Sequence, residues 1–281
     1  MKAEERYAHE KPYEPGRLVT TNEEPIRTGS LLWVFTDPHR GHELAYNRWY
    51  ERDHYYGGCM IGPYHFAGSR WVATARHKQA RPPLRGEMGF ERTDGSYACV
   101  YYFLDGHHED VLAWATPQVH ALYAADRGFG PRTHYNTGTF SHRWRAYRDP
   151  HPVPVELALD HRYRGLVAWF VDPADDDPAA ADAFFDAELP TWMPGSPVAS
   201  VSMWDLIPLL DTKPDFVPGA PSLKRQLQLH FLECDPLDAW DHELALYEKF
   251  NASGAGTAVF AAGFIPTDVG TDRYVDELWV D

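Results

Sequence analysis

The stretch "LLWVFTDP" (Leu31–Pro38) returns 135 residues later as "LVAWFVDP" (Leu166–Pro173). At the same offset "NRWYERDH" (Asn47–His54) faces "DAFFDAEL" (Asp182–Leu189). Farther on, "YFLDGHHEDVLAW" (Tyr102–Trp114) matches "HFLECDPLDAW" (His230–Trp240), and "HALY" (His120–Tyr123) matches "LALY" (Leu244–Tyr247). Units of about 120 residues are too long for solenoid repeats, so ordered matches of this kind read as a duplicated domain.

Each unit carries the same coarse pattern. In the first, β-branched and aromatic runs predict strands at Ser30–Thr36, Tyr64–Thr74, Ser96–Leu104 and Tyr135–Tyr147. Helical periodicity falls at Gly41–His54 and at Glu109–Asp126, the latter interrupted at Pro117. The second unit predicts strands near Gly165–Val171, Val198–Leu206, Leu227–Cys234 and Thr257–Phe264, with helices near Ala179–Leu189 and Pro236–Phe250. In its last helix Asp235 is placed to cap the N-terminus with Pro236 at the first helical position, and Leu237, Trp240, Leu244 and Tyr247 form one apolar stripe.

The order β-α-β-β-α-β, twice, is the split βαβ or ferredoxin-like arrangement. Residues 1–28 read as a polar arm, 29–150 as the first repeat and 151–281 as the second, with "RDPHPVPVE" between the halves and "DTKPDFVPGAPS" within the second as connectors. Helices cover one face of such a sheet, and the bare face must be buried. The expected fold class is therefore α+β, two tandem ferredoxin-like repeats packed sheet to sheet as a barrel within one chain. A ligand chamber is expected between the sheets.

Composition narrows the function. The 281 residues carry a net charge of −15, which disfavours nucleic acid and anionic membrane surfaces. No run of about 20 apolar residues offers a membrane span and the N-terminus has no secretory pattern, so a cytoplasmic protein is expected. Cys59, Cys99 and Cys234 lie far apart with no CxxC, against both a disulfide framework and a structural zinc site, and read as small buried hydrophobes. There is no Walker loop, GxGxxG, GxSxG or HExxH.

The segment Ala45–Thr74 holds eight aromatic side chains with His54 and His65. On an α-helix Tyr46, Trp49, Tyr50 and Asp53 share one face, with His54 at its margin in the last turn. There the helix C-terminus would favour an imidazolium, and the aromatic cluster would oppose it by desolvation. The second unit has Leu189 and Leu244 where the first has His54 and His120, so the fold itself does not demand imidazoles at these positions. On the following strand, alternation sets His65, Ala67, Ser69 and Trp71 on one side and Tyr64, Phe66, Gly68 and Arg70 on the other. Tyr101 or Tyr102, His134 and Tyr135 are further donors. "DGHHED" (Asp105–Asp110) lacks metal-ligand spacing and reads as a polar turn before a helix.

The pattern "YNRWYERDHYYGG…GPYHFAGSRW", together with "LAWATPQVHALYAADRGF", resembles the EthD-like proteins of the dimeric α+β barrel superfamily. That resemblance implies an enzyme of the lyase, isomerase or cyclase type, free of cofactor, acting on a hydrophobic aromatic or polycyclic substrate. The expected catalytic groups are His54, as general base or acid, and His120 as its partner. Arg70, Tyr64, His65, Trp49, Tyr50, Tyr101 and His134 are expected to bind substrate, and no metal is expected. The superfamily also admits a haem- or metal-dependent oxidoreductase with a histidine as axial ligand, or a non-catalytic binding or assembly protein. The chain could pair again as a homodimer.

Overall fold

The computed structural model describes residues 26–209 and 224–280, with 213, 215 and 218 between them. Most of the arm and of the connector "DTKPDFVPGAPS" lies outside the described residues.

The first half runs β1 (Thr28–Pro38), α1 (Glu43–Trp49) continued by a π-helical segment (Tyr50–Met60), β2 (His65–Val72), α2 (Ala75–Ala80), β3 (Tyr97–Leu104), α3 (His108–Ala124) and β4 (Arg132–Tyr147). The second half runs β5 (Gly165–Pro173), α4 (Ala179–Trp192), β6 (Val198–Ile207), β7 (Gln226–Leu232), α5 (Trp240–Ser253) and β8 (Gly256–Pro266). The Asp235 carboxylate accepts from the Leu237 N–H at 2.9 Å, with Pro236 opening a single 3₁₀ turn before α5, as the sequence predicts.

The eight strands among the described residues form one closed antiparallel barrel in the order β1-β3-β2-β8-β5-β7-β6-β4. Each half contributes strands in the ferredoxin-like order, β4-β1-β3-β2 and β8-β5-β7-β6. The expected α+β architecture is therefore present, a dimeric α+β barrel built within one chain. The two seams differ in length. β4 and β6 pair from Thr139–Ile207 to Tyr147–Ser200, whereas β2 and β8 share two pairs, Trp71–Pro266 and Val72–Ile265.

Strand alternation sends Leu31, Trp33 and Phe35 of β1 and Ala98, Val100 and Tyr102 of β3 inward, and Tyr97, Cys99, Tyr101 and Phe103 outward under the helices. The inward rings meet across the barrel: Trp33 against Phe170 at 6.1 Å and Phe264 at 6.0 Å, Trp71 against Phe231 at 6.1 Å, Tyr102 against Trp204 at 5.5 Å. The expected chamber between the sheets is thus filled with side chains. Sheets about 10 Å apart leave room for two layers of side chains, and where so many are Trp, Tyr or Phe, interdigitation consumes the space.

Four other expectations are corrected. The helix predicted to end at His54 continues to Met60, so His54 does not sit at a helix C-terminus. The helix α3 passes through Pro117 without a break. A bulge between His65 and Ala67 shifts the β2–β3 register, and His65 pairs with outward-facing Phe103 while Arg70 packs on outward-facing Tyr97, so both leave the sheet on the same side. The Tyr102–His230 match is one residue out of step: Leu31 pairs with Tyr102 as Leu166 pairs with Phe231, which makes Tyr101 the counterpart of His230.

Candidate active site

The open space lies on the outer face of the first half's sheet, beneath α1, the π-helical segment and α3. A cleft of about 120 Å³ is walled by Leu32, Val34 and Phe103 from the sheet, by Leu112, Ala115 and Val119 from α3, and by Tyr46, Tyr50 and His54 from the α1 side. The α3 positions recur at spacings of three and four, which turns one helical stripe towards the sheet. Cys59, His65, Arg132 and His134 lie in the polar part of the lining, together with threonines of α3 and β4 and with Lys213.

His54 is the central group. Its half-buried ring stacks on the Trp49 indole at 4.5 Å and 17° and meets the edge of Tyr50 at 5.2 Å. The π-helical geometry brings its ring against the backbone of Gly58, where a Cβ would come within 2.8 Å of the imidazole. π-Helical turns are rare and concentrate at functional sites. Neither ring nitrogen of His54 makes a hydrogen bond to a described residue, and neither is sealed from the cleft. Burial first, and the Arg132 guanidinium second, pull its pKa down to about 3, so the ring is a neutral imidazole at physiological pH.

His134 is held differently. The Arg132 Nε donates to its Nε2 at 2.9 Å, which leaves Nδ1–H to donate to Thr137 Oγ1 at 2.9 Å. Burial and Arg132 bring His134 also to about 3. Arg132 lies 5.0 Å over the Trp49 ring and donates to the Phe129 carbonyl and the Tyr123 hydroxyl, which fixes a positive charge at the cleft's polar end. Sequence reasoning missed Arg132, although it stands two residues before His134, and that spacing puts both on one strand face.

The structure separates the other expected residues. His65 lines the cleft, with Nδ1–H donating to the Pro63 carbonyl at 3.1 Å and its ring against Phe103. Trp49 and Tyr50 flank His54, and Tyr101 sits behind, its hydroxyl 2.9 Å from that of Tyr50. His120 is exposed on α3 beside Val119 and does not line the cleft. Tyr64 has φ 66° and stacks on His107 at 3.8 Å, away from the cleft. Arg70 is buried under α1, bonded to Asn47 at 2.5 Å and caged by Tyr97, Tyr50 and Tyr46 at 4.0, 4.9 and 5.4 Å. The cage and Asn47 offset the burial of its charge, and its side chain does not reach the cleft.

No protein-family model matches this chain, and no curated protein does. Solved structures are similar to it in fold. A protein assigned as a chlorite dismutase is 10% identical with a TM-score of 0.49, over 90% of this chain and 100% of its own. An anthrone oxidase-like protein is 9% identical with a TM-score of 0.45, over 88% and 98%. A chlorite dismutase variant from Candidatus Nitrospira defluvii is 8% identical with a TM-score of 0.45, over 90% and 96%. At this level of likeness nothing about chemistry transfers.

The cleft can be tested directly against haem. A cavity of about 150 Å³ just accommodates benzene, and a porphyrin is several times the area of that ring, so a cleft of about 120 Å³ does not fit haem. Among the described residues no three His, Cys, Asp or Glu side chains converge as a metal site. In "DGHHED", His107 is engaged by Asp110 at 2.8 Å and His108 by Ser30 at 3.0 Å. No helix among the described residues is long and apolar enough to cross a membrane.

Proposed function

We propose that this chain is a small-molecule enzyme of the isomerase or lyase type in which His54 transfers a proton within the helix–sheet cleft. The single observation that carries this reading is the His54 imidazole, neutral, stacked in place by Trp49, with neither nitrogen hydrogen-bonded to a described residue. The same reading treats the chain as a tandem duplication related to EthD-like proteins, supported by the identical strand order of its two halves.

The size and lining of the cleft favour one ring, or the one-ring end of a larger molecule, over a buried polycycle. Its chemistry favours a carbonyl compound with an acidic α-hydrogen. A ring nitrogen of His54 takes the α-proton, the C–H electrons move onto the carbonyl oxygen as an enolate, and the imidazolium returns the proton to a different atom. An isolated imidazolium is disfavoured here by burial, but beside a newly formed enolate the pair is neutral overall, and that penalty is largely offset. The fixed charge of Arg132 stabilises the enolate at the same time.

The test is exchange of the α-hydrogen of phenylpyruvate in deuterated water, followed by NMR. The native chain is expected to exceed the His54→Gln variant by a factor of about 10²–10⁴. Equal rates in two folded proteins would remove His54 from the chemistry. A second reading, ligand binding without turnover, is favoured by a His54 pKa far below neutrality. It predicts saturable binding of phenylpyruvate that the His54→Gln variant weakens, with no exchange above the uncatalysed rate.

A further inference from the structure

A second hollow, larger than the cleft, has no part in this chemistry. Where β2 and β8 share only two residue pairs the strands part, and a groove of about 870 Å³ opens. That volume lies within the range of small-molecule sites, about 300–1,000 Å³. Tyr55 and Tyr56 of the π-helical segment line one side and the segment 160–164 the other. The Tyr56 side chain is 54% exposed.

The charges in this groove are unevenly matched. Glu51 accepts from the Gly270 N–H and faces Arg70, Asp235 caps the 3₁₀ turn before α5 and bonds to His77, and Asp268 pairs with Arg273. By contrast, neither Arg162 nor Arg164 makes a side-chain hydrogen bond or ion pair with any described residue, and only Asp160 stands as an unengaged carboxylate beside them. Tyr163 between the two arginines is buried in the barrel core, while Arg162 and Arg164 on either side of it are exposed and line the groove. In a chain of net charge −15, this places two guanidiniums without an ion-pair partner among the described residues on the wall of a ligand-sized groove that an exposed phenol ring also lines.

We propose that the groove binds an aromatic anion, its carboxylate or phosphate held between Arg162 and Arg164 and its ring laid on Tyr56. Guanidinium forks match the planar geometry of both anions, so the head group is fixed by class and not by identity.

The experiment is calorimetric titration of the full chain with 2-naphthoate, phenyl phosphate, inorganic phosphate and the neutral 2-naphthalenemethanol. At least one of the two aromatic anions is expected to saturate a single site, and which one does so distinguishes a carboxylate from a phosphate ligand. Neither inorganic phosphate nor the neutral alcohol is expected to compete with it. The double variant Arg162→Ala/Arg164→Ala, altered only at exposed side chains, is expected to weaken that binding at least tenfold and to leave phenylpyruvate exchange unchanged. The proposal is overturned if neither aromatic anion saturates at millimolar concentration, if the double variant binds as the native chain does, or if inorganic phosphate binds equally well.

Discussion

The imidazole of His54 lies parallel to the indole of Trp49 at 4.5 Å, and Gly58, one turn on, leaves it the space to do so. A methyl group at position 58 would meet the Cε1 and Nδ1 atoms at 2.8 Å. Gly58→Ala is therefore expected to push the ring off Trp49 towards water. Its pKa should rise from about 3 towards the usual histidine value near 6.5, as followed by NMR titration. An unchanged titration would mean that the ring has room that the geometry denies it.

Acid should weaken the fold earlier than carboxylates alone would. His54 and His134 have native pKa values of about 3, against about 6.5 in an unfolded chain. Between these limits the unfolded state binds more protons than the native state, so stability rises with pH through that window and is lost as pH falls from about 6.5 towards 3. Chemical denaturation at a series of pH values should show this slope, and His54→Gln should reduce it by up to one proton.

In the second half His230 and Glu243 are fully buried with Nδ1 and Oε2 2.8 Å apart, and Gln228 lies 2.9 Å from the other ring nitrogen. Replacing His230 by Leu leaves a buried carboxylate without its partner and is expected to cost about 3–5 kcal/mol. Replacing His230 and Glu243 together by apolar residues of similar volume should recover most of that loss. A double-mutant cycle by urea denaturation measures the difference.

Trp33 is fully buried at the centre of the barrel, in contact with rings from both halves. Trp33→Ala is expected to cost about 3–5 kcal/mol, read as a fall in the urea midpoint. Loss of His54-dependent exchange should not accompany it in protein that remains folded, because Trp33 faces away from the cleft.

The strand pattern was legible from residue alternation and the internal matches, because alternation and turn chemistry are local properties. His54, His65, Trp49, Tyr50 and His134 were likewise found by residue type, and the structure brings them to one cleft or its immediate wall. What the chain did not reveal depends on geometry beyond a single element. One extra residue in β2 reverses the face of everything on its far side, which is why His65 and Arg70 share a face against simple parity. The π-helical turn has no distinctive composition, so α-helical spacing wrongly ended the helix at His54. Whether two facing sheets enclose space or fill it depends on the summed volume of rings from strands far apart in sequence, such as Trp33, Phe170 and Phe264.

The barrel is a hoop with one long weld and one short one. The join between β2 and β8 spans only two residue pairs, so thermal fluctuation should tear the hoop there first and let the halves hinge about the β4–β6 join. Amide protons of Val72 and Ile265 would then trade with solvent long before those of Phe140 and Trp204, giving a protein that breathes along a single line.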